Sequence, residues 1–149
     1  MLHFRVYRRI FLISLIVFTF LCIDSSYAAT PTIGTISPSS GTTAPDIAKT
    51  FTCKYYDADG WTNLKEAYLL ISRSSTNLSN SVYLYYDQNT NLLYVRNDAD
   101  TSWLGGRSPG SDYVIENSSV RLNCASSIVT GSGNTLTVKW NITFKPTYS

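Results

Sequence analysis

Histidine is almost missing from this chain: His3 is the single imidazole in 149 residues, beside one methionine and three cysteines. A chain trimmed of its first 28 residues keeps no histidine. That excludes a Ser-His-Asp or Cys-His relay and leaves zinc with two cysteines and no imidazole. Charge is sparse at 15%. Beyond residue 28 the count is nine basic residues (12 less Arg5, Arg8 and Arg9) against nine acidic ones (10 less Asp24). A balance near zero with no basic run argues against nucleic acid or an anionic membrane as partner. Gly105-Gly106 stands alone, so no glycine loop suits a phosphate. No stretch repeats apolar residues at helical spacing over three turns. One long apolar run exists, Ile10 to Ile23, and it falls short of the ~20 residues that span a bilayer.

What is present begins with that run. Arg5, Arg8 and Arg9 precede it and Ser26-Tyr27-Ala28 follows, the basic, apolar and small-x-small order of a secretory signal. Leu21 before Cys22 speaks against a lipid-modified cleavage site. The expectation is a signal helix over 1–28, cleaved after Ala28, and a secreted or cell-surface chain of 121 residues (149 less 28). That remainder carries three Trp, nine Tyr and two Phe among many Ser, Thr and Asn, a composition suited to half-wet pleated surfaces. Residues 29–47 read as a Pro/Gly/Ser/Thr-rich lead-in with one short strand, Thr32 to Ile36. Residues 48–149 read as one domain. Strands are expected at Lys49 to Asp57, Glu66 to Ser72, Ser81 to Tyr86, Leu92 to Asn97, Tyr113 to Cys124 (with a break) and Thr135 to Lys145, separated by turn residues. Short strands and no helices mean an all-β fold, an antiparallel β-sandwich of about six or seven strands.

Two cysteines remain after trimming, Cys53 and Cys124, and export makes a disulfide the default expectation. In Phe51-Thr52-Cys53-Lys54-Tyr55 the odd positions are apolar. In Val120-Arg121-Leu122-Asn123-Cys124 the even ones are. Both thiols therefore point inward, as an inter-sheet bridge requires. The alternative is two buried free thiols.

The segments Phe51 to Trp61 (ending Tyr-Tyr-Asp-Ala-Asp-Gly-Trp), Tyr83 to Asp87, Leu93 to Asp98 and Thr101 to Gly105 carry a resemblance. So do Gly110-Ser111, Glu116 to Ser118, Gly131 to Leu136 and Thr143 to Lys145. Together they resemble an Ig-like, fibronectin type III-like module of bacterial secreted and surface proteins. The resemblance implies a non-enzymatic extracellular module for adhesion or structural roles, with other surface proteins or glycans as partners. It also implies a further strand after Lys145, and cysteines near the positions of Val82 and Val120, which would make a Cys53–Cys124 bridge a different one. The expectation is thus a sandwich lacking its last strand, either as part of a longer protein or as a fimbria-like subunit completed by a strand-sharing neighbour.

Two constellations carry candidate chemistry. Asp57-Ala58-Asp59-Gly60 sets two carboxylates before a glycine turn, and Asn97-Asp98-Ala99-Asp100 sets two more. Joined at a sandwich edge, Asp57, Asp59, Asp98 and Asp100 would chelate Ca²⁺, the cofactor such a set would take. The plainer reading is that Asp and Gly make turns by bonding their own backbone. Tyr83, Tyr85 and Trp103, with Tyr94 and Trp61, offer ring faces on which sugars stack, the carbohydrate-binding alternative. If Val82 and Leu84 point inward, Tyr83 and Tyr85 lie outward, where they also serve as ordinary cross-strand pairs. Asn77, Asn117 and Asn141 sit in N-x-Ser/Thr sequons.

Overall fold

The computed structural model describes residues 28–72, 76 and 78–148. The expected signal segment lies outside the described residues, except for Ala28. Ten strands follow one another among the described residues: β1 (Thr32–Ser37), β2 (Ala48–Tyr56), β3 (Glu66–Ile71), β4 (Val82–Asp87), β5 (Leu92–Arg96), β6 (Trp103–Arg107), β7 (Val114–Glu116), β8 (Val120–Asn123), β9 (Ile128–Ser132) and β10 (Thr135–Phe144). The helical pieces among the described residues are two single 3₁₀ turns, Trp61–Asn63 and Pro146–Tyr148. The chain is an all-β sandwich. One sheet runs β1-β2-β10-β8-β7, with β9 paired to β10; the other runs β3-β4-β5-β6. All pairings are antiparallel.

Alternation decides which face each strand buries. On β10, Leu136, Val138, Trp140 and Ile142 are fully buried, while Thr137, Lys139, Asn141 and Thr143 face the other way. Cys53 and Tyr55 on β2, and Val120 and Leu122 on β8, extend this inner layer. Opposite it lie Ala67 and Leu69 of β3, Val82, Leu84 and Tyr86 of β4, and Leu93 and Val95 of β5. Each such aliphatic side chain contributes about 1.5–3 kcal/mol relative to exposure. A polar tie crosses between the layers: Tyr55 donates its hydroxyl to the Tyr68 carbonyl at 2.7 Å.

Strand number is the first correction. Tyr113 to Cys124 divides into β7 and β8, and two strands join the seven expected ones, β6 and β9. β6 is bent by Gly105 and Gly106, both at positive φ (113° and 74°), and the register with β5 slips there. A Cβ on Gly105 would lie 2.6 Å from Ile115 Cδ1, so the missing side chain is what lets β7 close over the sandwich beside β6. On β9, a Cβ on Gly131 would fall 2.1 Å from the Trp61 ring, which lies flat on that glycine.

The expected vacancy beside the last strand is the second correction. β10 is the central strand of its sheet. Nine of its residues pair with β2, Ile142–Phe144 pair with β8 and Thr135–Lys139 pair with β9. Among the described residues both of its edges are therefore in ladders, one continuous along β2 and the other shared between β9 and β8 with Trp140 and Asn141 between them.

Candidate functional site

The outer face of the four-stranded sheet is built by the same alternation that fills the core. Because Ala67, Leu69, Leu84 and Val95 go inward, their neighbours Tyr68, Leu70, Tyr83, Tyr85, Tyr94 and Arg96 stand outward. The pairing register sorts them into rows. Tyr68 is opposite Tyr85, Tyr85 opposite Tyr94, and Tyr94 opposite Gly105. In the next row Leu70 is opposite Tyr83, and Arg96 is opposite Trp103.

The rings of the first row are stacked. Tyr68 and Tyr85 have centroids 5.0 Å apart and planes 17° apart; Tyr85 and Tyr94 are at 5.3 Å and 22°. Neighbouring strands are ~4.8 Å apart, so such rings stand upright and face one another rather than lying flat. Trp103 leans across β5 to reach Tyr83 and Tyr85, each at 5.1 Å. The Arg96 guanidinium sits 5.0 Å from the Trp103 ring and is fixed there by Asp100, 2.6 Å from Nε. Glu66 closes one end of the row: it accepts the Tyr68 hydroxyl at 2.8 Å and the Tyr85 hydroxyl at 3.5 Å. Loss of water among the rings, followed by the Asp87 and Glu66 carboxylates, pushes the Tyr85 hydroxyl up to about 12. Tyr68 is raised too, first by lost hydration and then by Glu66.

Tyr83, Tyr85, Tyr94 and Trp103 are thus brought together, but Trp61 is not; it lies on the other sheet against Gly131. Tyr68, which joins the cluster, is visible in sequence through the parity of Glu66 to Ser72 alone. Tyr85 has a ring on each face and a third against it, which leaves it no face for a sugar.

The proposed four-carboxylate set does not assemble. Asp57 and Asp59 sit at the end of β2 beside the β9–β10 turn, where the Asp57 amide donates to the Asn134 carbonyl. Asp98 lies near the far end of β10, where Ser118 donates to it from both its amide and its hydroxyl. The ten residues of β10 put about 30 Å between those ends. Each carboxylate is occupied locally: Asp57 Oδ1 accepts the Asp59 amide, Asp59 Oδ2 the Ala29 amide, and Asp100 the Arg96 side chain. The Asp57 contact is turn-making, while Ala29 reaches Asp59 from 30 residues away and Arg96 with Asp100 is an ion pair. Among the described residues, no three His, Cys, Asp or Glu side chains converge.

The expected Cys53–Cys124 disulfide is also corrected. Both residues are buried free thiols. They point inward as the alternation indicates, but from the same sheet, on opposite sides of β10. Burial raises both thiols, opposed at Cys53 by Tyr55 and Trp140 and at Cys124 by Arg107. The Trp140 indole N–H lies beside Cys53 and Tyr55 without reaching hydrogen-bond geometry.

Of the sequons, Asn77 lies outside the described residues. Asn117 is buried, donating to the Arg96 carbonyl and accepting the Ser119 and Val120 amides. It holds two loops together. Asn141 donates to Thr50. A cleft of about 600 Å³ opens between the sheets at the β1–β2 side, lined by Phe51, Leu70, Ile71, Phe144 and Tyr148. The chain matches no protein-family model, no curated protein and no solved structure.

Proposed function

We propose that this chain is an exported, non-enzymatic Ig-like module that acts in adhesion or as a structural element at the cell surface. Its contact surface is the outer face of the four-stranded sheet, and its partners are other surface proteins. The observation that carries this reading is the apolar character of that face: Tyr68 is 39% and Leu70 44% exposed, beside Tyr83, Tyr85, Tyr94 and Trp103. Contiguous exposed apolar area mostly marks interaction sites on soluble proteins, and aromatic residues are enriched at protein contacts. The signal-like leader and the resemblance to secreted Ig-like modules support it from the sequence side.

Sugar stacking fits this face less well. A pyranose needs an open ring face, whereas Tyr85 is sandwiched and Trp103 is held between Arg96 and two tyrosines. Adhesion of cells displaying the chain, run beside a glycan array, tests the reading. Tyr68→Ser with Leu70→Ser is expected to abolish adhesion while the array stays blank. A specific glycan signal lost on Tyr83→Ala, Tyr85→Ala or Trp103→Ala would replace this proposal with carbohydrate binding.

A further inference from the structure

Among the described residues, five strands have an edge open to a partner, and four of those edges are interrupted. The register of β1 shifts between Ile33 and Ile36. β6 carries the two positive-φ glycines, β7 is three residues long, and β9 has Gly131 under the Trp61 ring. Bulges, glycines and shortness are the usual protections of an exposed edge. β3 has none of them: its six residues pair with β4 in unbroken register.

The direction of its free groups follows from that register. The Gln88 amide donates to the Lys65 carbonyl, so residues 65, 67, 69 and 71 bond toward β4. Glu66, Tyr68 and Leu70 then turn their N–H and C=O groups to the open side. The Tyr55 hydroxyl reaches the Tyr68 carbonyl, which has a second lone pair to offer. The side chains above this edge are Tyr68 and Leu70, both well exposed, and Tyr68 is the end ring of the stacked row.

We infer that β3 pairs antiparallel with β3 of a second copy of this chain about a two-fold axis through Tyr68. The occupant is a second copy because the edge complements itself. Tyr68 meets Tyr68, and each Glu66 meets the other copy's Leu70, giving six backbone hydrogen bonds in an isologous contact. Directly opposite residues have Cβ atoms about 5 Å apart, the spacing already seen between Tyr68, Tyr85 and Tyr94. The row of three rings becomes a row of six, and two four-stranded sheets become one of eight. A contact of one strand and two apolar side chains is smaller than the ~1,200 Å² of a standard interface, so the dimer is weak, with a Kd in about the micromolar to hundred-micromolar range. It shares Tyr68 and Leu70 with the proposed adhesion face, but it is read out by self-association of the purified chain, so its failure is distinguishable from a failure of adhesion.

The test is sedimentation equilibrium of the exported chain, collected after secretion with its own leader, up to about 1 mM. A monomer–dimer equilibrium is expected. Leu70→Pro removes one outward N–H and none directed to β4, and edge strands tolerate proline; it is expected to weaken dimerisation at least tenfold. Leu70→Glu, which sets a carboxylate directly opposite the other copy's Glu66 at both ends of the contact, is expected to do the same, each with an unchanged far-ultraviolet spectrum. Amide exchange at Tyr68 and Leu70 is expected to slow as concentration rises. A monomer throughout that range, a dimer indifferent to both substitutions, or concentration-independent exchange at these amides would overturn the inference.

Discussion

Adding a reductant to the folded protein is the sharpest test of how Cys53 and Cys124 are placed. The register puts Cys53 opposite Val138 on one side of β10. Leu122 is opposite Ile142 on the other side, so Cys124, two residues further on, falls level with Trp140. The two Cα atoms are then separated by two strand spacings sideways and two residues lengthwise, about 12 Å in all. A disulfide tolerates Cα separations up to ~7 Å. Forming the bond would require β10 to leave the space between them. Had it formed, it would close a loop of 72 residues (53 to 124 inclusive) and stabilise the fold by about 4 kcal/mol on the chain-entropy model. With a urea slope of roughly 1–3 kcal/mol/M, reduction would then lower the midpoint by about 2 M. The expected result is no shift. Thiol titration is expected to find both cysteines reactive in denaturant and inert in the native state, where burial keeps them protonated. A midpoint that falls by a molar or more on reduction, or a disulfide-linked Cys53–Cys124 peptide in a non-reduced digest, would refute this register.

Tyr55→Phe removes the hydroxyl that ties β2 to the Tyr68 carbonyl; a loss of about 1 kcal/mol is expected in urea unfolding, because the freed carbonyl sits at an edge that water reaches. Gly131→Ala places a methyl where the Trp61 ring lies, so a red-shifted Trp fluorescence and a loss of about 1–3 kcal/mol are expected. Stability is expected to fall in alkali. Tyr55, Tyr68, Tyr85 and Tyr86 all have hydroxyls raised above the ordinary value of 10.0. The folded state then holds protons that the unfolded chain releases, and their stabilisation is complete below pH 10 and lost as pH rises above it. Melting temperature followed against phenolate absorbance checks this, and a melting temperature constant through that range would contradict it.

Side-chain parity was the most legible signal, and it reads correctly wherever a strand alternates. Phe51-Cys53-Tyr55, Val82-Leu84-Tyr86 and Leu136 to Ile142 all turn inward as their alternation indicates. Parity reports which face a residue uses but not which sheet its strand joins. That is why two inward cysteines suggested a bridge between layers, although both belong to one layer. β6 and β9 were illegible for another reason. Trp103-Leu-Gly-Gly-Arg and Ile128-Val-Thr-Gly-Ser lose their alternation at glycine, and each becomes a strand because a neighbour supplies the ladder. The carboxylate turns are legible singly, since Asp-x-Asp-Gly bonds its own backbone. Their separation is set by the length of β10, a property of the assembled sheet.

The aromatic face shows how a correct list of residues can still mislead about what they do. Tyr83 and Tyr85 were legible as outward rings and Trp103 as a further ring face, and a ring pointing outward suggests an open face. Strand spacing decides otherwise. Neighbouring strands approach to ~4.8 Å, close to the distance at which two rings stack, so tyrosines placed opposite one another turn upright and cover each other. Each added strand bearing a tyrosine in that row consumes one more face. Open faces therefore survive at the ends of the row. At the β6 end, Gly105 stands opposite Tyr94, and a Cβ on Gly106 would lie 3.3 Å from the Tyr94 ring, so backbone covers that face. At the β3 end nothing among the described residues stacks on the far side of Tyr68, and the backbone groups beside it are unladdered. The groups of this row left open to a partner are accordingly an edge and one terminal ring, and substitutions in the middle of the row are expected to alter sheet stability before they alter any contact proposed for this face.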